Sequence, residues 1–138
     1  MPIACLYGGS ALVIGIGVDL VEIERVRAVM TRSVRFLERV FSPRERTLCG
    51  GRPWRLAGRL AAKEAMLKAI GTGLRGFSWQ QIEILADDLG APVVFCHGNF
   101  ARALQARGVA RIHVSISHSR EYAVAQVLLE GGDGACAS

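Results

Sequence analysis

The hexapeptide Lys63-Glu64-Ala65-Met66-Leu67-Lys68 holds both lysines of a 138-residue chain whose other fifteen basic residues are arginines. Lysine is a compact point charge whose pKa moves with its surroundings, whereas arginine is a permanently charged fork. Two lysines around a lone carboxylate point to a task that arginine performs badly, such as phosphate or metal–phosphate chemistry. At about 100° per residue, Glu64 and Lys68 share one helix flank beside the small Ala57 and Ala61, and Arg59 falls on the opposite flank. A surface Glu–Lys ion pair worth about 0.3–0.5 kcal/mol accounts for the same spacing. Gly71-Thr72-Gly73 follows, a loop whose amides could cradle phosphate and whose first glycine is equally an ordinary helix stop.

Two further groups carry polar chemistry. Asp19 ends an apolar alternating segment, where Asp19-Leu20-Val21-Glu22 also reads as a capping box for a following helix. In His113-Val114-Ser115-Ile116-Ser117-His118, strand alternation places His113, Ser115 and Ser117 on one face and Val114, Ile116 and His118 on the other. The two histidines oppose each other, which excludes a metal site built within that strand. One strip of His113 with two hydroxyls remains, either a phosphate cradle or a solvent-facing strand side.

The elements that must position these groups follow from periodicity and punctuation. Val13 to Leu20 alternates Gly15, Gly17 and Asp19 against Ile14, Ile16 and Val18, as a strand does. Glu22 to Met30 repeats Ile23, Val26 and Met30 at helical spacing. Ser42-Pro43 opens a short helix that Gly50-Gly51 closes. Pro53 starts the main helix, which runs to Ile70 with a stripe of Leu56, Leu60, Leu67 and Ile70, and Lys63 falls inside that stripe. Ile82 to Ala86 and Pro92 to Cys96 form a hairpin around Asp87-Asp88-Leu89-Gly90. Asn99 caps a helix ending before Gly108, and Arg111 to Ser117 pairs with Tyr122 to Leu129 across Ser119-Arg120-Glu121. The expected architecture is a single α+β domain with mostly antiparallel pairing. Residues 1–12 read as an N-terminal extension, 13–130 as the domain and 131–138 as a flexible glycine-rich tail.

Charge is unevenly spread. From Arg25 to Arg75 there are thirteen bases and three acids, so nearly all the positive field lies in the first half of the chain. Such a segment attracts an anionic partner. Nucleic acid would suit the field, but aromatics for stacking are few and no recognised nucleic-acid motif is present. No apolar run approaches the ~20 residues that span a bilayer. Cys5, Cys49, Cys96 and Cys136 are scattered without a Cys-x-x-Cys pair, as expected of free thiols in a reducing cytoplasm.

Ile14-Gly15-Ile16-Gly17-Val18-Asp19-Leu20-Val21-Glu22-Ile23, then Arg35-Phe36, Phe41-Ser42, Leu56 to Ala65 with Lys68, Gly71-Thr72-Gly73, and His113-Val114-Ser115-Ile116-Ser117-His118 resemble in order and spacing the holo-[acyl-carrier-protein] synthases. The resemblance runs from about Val13 to Glu130. It implies the 4′-phosphopantetheinyl transferase fold, an antiparallel sheet packed on a long central helix. It also implies transfer of the phosphopantetheine arm of coenzyme A to a serine of apo-acyl-carrier protein, releasing adenosine 3′,5′-bisphosphate, as in fatty acid biosynthesis. By resemblance, Asp19 and Glu64 are Mg²⁺ ligands and Lys68 neutralises or protonates the leaving bisphosphate. Val21 stands where larger monomeric relatives carry a second acid. Arg59, Lys63, Gly71, Thr72, Gly73, His113 and Ser115 are expected around the nucleotide.

The resemblance further implies a homotrimer with active sites at subunit interfaces. That would reconcile Arg59 and Glu64, which lie about 140° apart on one helix. A basic helix from Arg25 through Arg35, with Phe36, is expected to dock acidic acyl-carrier protein. A nucleic-acid-binding module and an inactive scaffold of the same fold are the rival readings.

Overall fold

The alternation of small and branched residues over Val13–Glu22 does form a strand, β1, and its glycines decide what lies beneath it. The computed structural model describes residues 12–132. In chain order β1 is followed by α1 (Ile23–Arg32), α2 (Val34–Val40), α3 (Pro43–Cys49), α4 (Pro53–Ile70), β2 (Ile82–Ala86), β3 (Pro92–Cys96), α5 (Gly98–Ala106), β4 (Val109–His118) and β5 (Tyr122–Gly131). A three-stranded antiparallel sheet has the order β1-β5-β4, and β2-β3 is a separate antiparallel hairpin. The expected α+β domain with mostly antiparallel sheet on a long central helix is the one observed.

Eleven of the eighteen α4 residues are buried, including Ala57, Gly58, Ala61, Ala62 and Ala65 as well as Leu56, Leu67 and Ile70. A single leucine stripe therefore understates the helix, which is covered on several sides. Alanines and Gly58 let neighbours approach its axis: a Cβ on Gly58 would meet Ile116 Cγ2 at 2.8 Å. One core cluster joins α4 to Ile82, Ile84, Phe100, Leu104, Val127 and Leu129. A second joins its N-terminal half to Ile23, Val26, Val40, Phe41 and Cys49.

Several boundaries differ from the sequence reading. The basic helix expected from Arg25 through Arg35 is two helices. Extended Ser33 breaks it, and its hydroxyl accepts from the Phe36 amide at 3.2 Å as the cap of α2. Asn99 does not cap α5; His97 holds the N-cap position and Asn99 lies in the first turn, where its side-chain oxygen accepts from Arg102. Strand β5 runs to Gly131, which is buried and whose amide donates to Leu12 O at 2.6 Å. Ser42-Pro43 does open α3, where Ser42 and Glu45 also form a capping box, and left-handed Gly50 closes that helix. The rest of the expected extension, residues 1–11, and of the tail, residues 133–138, lies outside the described residues, as do Cys5 and Cys136. Cys49 and Cys96 are free thiols.

Candidate active site

Asp19 sits in β1 opposite Ala125, and the strand continues to Glu22 before α1 begins. It therefore caps nothing, and the capping-box reading fails for lack of a helix start. Its side chain instead turns toward α4, on the same strand face as Gly15 and Gly17. Lys68 Nζ donates to Asp19 Oδ1 at 2.8 Å and to the Val18 carbonyl at 3.1 Å. Lys68 is thus bonded to the strand and not to Glu64 on its own helix, which removes the i,i+4 surface pair. The bond to Asp19, with the carboxylate's charge, raises the Lys68 pKa.

Glu64 lies against Asp19. Burial first, then hydrogen bonding and repulsion from the Asp19 carboxylate, push the Glu64 pKa from 4.5 to about 7, against the pull of Lys68 and Arg25. Two carboxyls from different elements are crowded together, and Asp19 Oδ2 is buried with no hydrogen-bond partner. A hard divalent cation would resolve both features, since Mg²⁺ takes one or two carboxylates and completes its shell with waters and substrate phosphates. No group of three or more His, Cys, Asp or Glu is arranged to hold a metal ion among the described residues. Half-buried Val21 adds no donor.

Glu64 opens into a cleft of about 340 Å³ lined also by Val21, Arg25, Phe36, Leu60 and Tyr122. Arg25 and Phe36 thereby share a cleft with Glu64, while Arg35 is exposed on α2 outside that lining. Arg59 faces a different cavity, of about 460 Å³, with Trp54, Arg55, Asp87, Asp88 and His118. Its Nε is buried without a partner. One chain therefore does not bring Arg59 and Glu64 into one cavity. His113 and Ser115 occupy the outward sheet face, away from α4, where His113 Nε2 lies 3.0 Å from Glu130 Oε1. Gly71, with φ of 81°, ends α4 as a left-handed cap. Gly71, Thr72 and Gly73 line neither cavity, and the Thr72 hydroxyl donates to Gly73 O at 2.9 Å.

Lys63 requires a correction. Its side chain is 0% exposed, and its three donors go to Val40 O at 2.6 Å, Glu45 Oε1 at 2.8 Å and Trp79 O at 3.1 Å. An ammonium so enclosed has no hydrogen left for a nucleotide. Burial lowers its pKa, and the Glu45 carboxylate opposes that fall. His118 and Trp54, lining the Arg59 cavity, and Leu60 and Tyr122, lining the Glu64 cleft, were not among the expected site residues. The alternation that sets His118 on the Ile116 face, toward α4, was the available signal for the first. The others depend on packing between elements distant in sequence.

The 4′-phosphopantetheinyl transferase superfamily model matches residues 15–127. A holo-[acyl-carrier-protein] synthase of Geobacillus kaustophilus is 46% identical over 125 residues, covering 86% of this chain and 90% of that relative. The crystal structure of a Bacillus anthracis holo-(acyl-carrier-protein) synthase in complex with CoA (3′,5′-ADP) aligns with TM-score 0.74 and 37% identity, covering 88% of this chain and 100% of that one. That of Helicobacter pylori holo-[acyl-carrier-protein] synthase with coenzyme A aligns at 0.75 and 32%, covering 83% and 98%. The chain belongs to the 4′-phosphopantetheinyl transferase superfamily.

Proposed function

We propose that this protein is a holo-[acyl-carrier-protein] synthase, moving 4′-phosphopantetheine from coenzyme A to a serine of apo-acyl-carrier protein in support of fatty acid synthesis. The observation that carries the reading is the junction of Asp19, Glu64 and Lys68, whose Glu64 lines a cleft shared with Arg25 and Phe36. In the reaction a carrier serine oxygen bonds to the phosphorus that bears the pantetheine arm. The bond from that phosphorus to the bridging oxygen breaks, and adenosine 3′,5′-bisphosphate leaves.

Asp19 and Glu64 would hold Mg²⁺, which when bound supplies positive charge to the pyrophosphate of coenzyme A. Asp19 contributes its unpartnered Oδ2 from the strand, and Glu64 contributes a carboxyl crowded against Asp19, where a divalent cation would relieve the repulsion of the ionised pair. Lys68, more than half exposed and anchored by Val18 O, would neutralise or protonate the departing phosphate oxygen. Phosphoryl-type transfer depends mostly on such positioning and charge.

Arg59, which lines a roomy cavity, suits the nucleotide phosphates, and His113 and Ser115 would reach the nucleotide from the sheet's outward face. A homotrimer reconciles these placements. Ile16, Val18 and Leu20 on the outward face of β1 are 58%, 56% and 61% exposed, an apolar row that a neighbouring copy would cover. One copy's Asp19 and Glu64 would then share a site with another copy's Arg59. The basic α1 and α2, carrying Arg25, Arg35 and Phe36, are assigned to the acidic carrier and not to nucleic acid. No helix among the described residues is long and apolar enough to cross a membrane, and free thiols at Cys49 and Cys96 suit a cytoplasmic location.

The test is chromatographic: incubation with coenzyme A, apo-carrier and Mg²⁺ should release adenosine 3′,5′-bisphosphate only when all three are present. A nucleic-acid module would release none and would bind DNA or RNA with steep salt dependence. An inactive scaffold would release none either.

A further inference from the structure

We propose that Lys63 is a positioning residue for the carrier protein: with Gln80 it anchors the C-terminal end of α2, the helix that presents Arg35 and Phe36. The proposal rests on the reading of α1 and α2 as the carrier-docking surface. Helix α2 has seven residues, too few to hold a fixed place by its own hydrogen bonds. The last carbonyls of any helix lack intrahelical partners, and a cation there also meets the negative end of the helix dipole.

Two side chains from outside the helix claim the carbonyls at this end. Lys63 Nζ donates to the carbonyl of Val40, the last residue of α2, at 2.6 Å. Gln80 Nε2 donates to the Glu38 carbonyl and to Phe41 O at 3.3 Å. The anchor itself is fixed from behind. Glu45, fully buried, takes Lys63 and the Ser42 amide on Oε1, and the Ile84 amide on Oε2 at 2.8 Å. The Lys63 ammonium also lies 5.3 Å from the centre of the Phe41 ring.

Stability gives no reason to keep this charge. A buried ion pair is often matched or bettered by apolar residues of similar volume, because both ions must be desolvated. What a directional ammonium adds is a set distance between two elements. Lys63 immediately precedes Glu64, so the end of the docking helix is tied to α4 one residue from the metal-site carboxylate. Helix α4 itself is held along its length by β1 and β5, so losing Lys63 should displace α2 more than Glu64.

The readout is a split between the two substrates. Lys63→Met should raise KM for the carrier about tenfold, the scale of one lost hydrogen bond to a charged group, and Gln80→Ala should raise it about threefold. KM for coenzyme A and the affinity for Mn²⁺, followed by electron paramagnetic resonance, should both stay within about twofold. Leu104→Ala, a buried change in α5, serves as a destabilised control and should leave carrier KM unchanged. Gln80→Ala keeps the test available should Lys63→Met fold poorly.

Arg35→Glu is run beside them. If it raises carrier KM while Lys63→Met and Gln80→Ala do not, the anchor proposal is wrong and the docking surface stands. Equal losses for coenzyme A, Mn²⁺ and carrier, or an equal shift in Leu104→Ala, would make Lys63 a general stabiliser and overturn the proposal. If Arg35→Glu also leaves carrier KM unchanged, the docking reading falls and takes this inference with it.

Discussion

A Cβ placed on Gly17 would lie 2.0 Å from the Ala65 carbonyl oxygen and 2.8 Å from the Ala69 amide nitrogen, so β1 rests directly on the backbone of α4. Gly15 makes the same approach one pleat earlier, with Ala69 O at 2.1 Å. The Gly-Ile-Gly run thus lowers the strand onto the helix and brings Asp19 beside Glu64 and Lys68. Gly17→Ala must lift the strand, and we expect a loss of about 2 kcal/mol or more, as for an overpacked core. Transfer should fall about 100-fold with it, since misplacement of about 1 Å is enough for that. Gly71→Ala, at an open left-handed position, should cost only about 1 kcal/mol of strain. Thermal melts and kcat/KM of the two variants, measured together, check the contrast.

Glu64 gives the metal-free protein a pH-dependent stability of definite sign. Its folded pKa is about 7 against an ordinary 4.5, so between those values the native state keeps a proton the unfolded chain has lost. Stability from this group is full below the lower value, falls as pH rises through the window, and levels off above about pH 7. Glu64→Gln removes the effect, so its stability relative to the parent should rise across the same window in denaturant melts. Mg²⁺ at about pH 8 should stabilise the parent and not the variant. Transfer by the variant should drop at least about 100-fold with the fold retained. Equal pH slopes for the two proteins would refute the crowded carboxylate pair.

Lys68→Arg keeps the charge but puts a rigid fork where a single nitrogen bonds both Val18 O and Asp19 Oδ1. We expect kcat to fall about 10- to 100-fold, with a smaller change in KM for coenzyme A. Parental kcat in the arginine form would leave Lys68 as a source of charge alone.

Arg59 and Glu64, facing separate cavities of one chain, set a complementation test. Asp19→Asn and Arg59→Ala proteins should each be nearly inactive. Unfolded and refolded together in equal amounts, they should regain activity at about a quarter of their interfaces, the chance that an intact Asp19 meets an intact Arg59 around a closed ring. Activity should depend on subunit mixing and be absent when the proteins are refolded apart. An active monomer by light scattering would contradict the shared site.

How much of this was legible in the sequence depended on the range of the interaction involved. Alternation around Gly17, the Ser42-Pro43 start and the Gly71 stop act within one element and read correctly. The break at Ser33 was missed because apolar spacing continues across it while one hydroxyl caps the next helix. Asp19 read as a cap, since nothing local reveals that β5 holds the strand straight through Glu22. Lys63 in an apolar stripe called for either a buried partner or the bound ligand, and Glu45, eighteen residues away, becomes that partner only on folding. For the same reason, local pattern paired Glu64 with Lys68, and only the family resemblance set it beside Asp19.

The central claim, transfer of phosphopantetheine at the Asp19–Glu64–Lys68 junction, is tested most directly by weighing the acceptor. Apo-acyl-carrier protein incubated with this protein, coenzyme A and Mg²⁺ should gain the mass of one phosphopantetheine group in intact mass spectrometry, located on a serine. The gain should vanish with EDTA and with Glu64→Gln. A carrier of unchanged mass, or one modified equally fast in EDTA, would contradict the account.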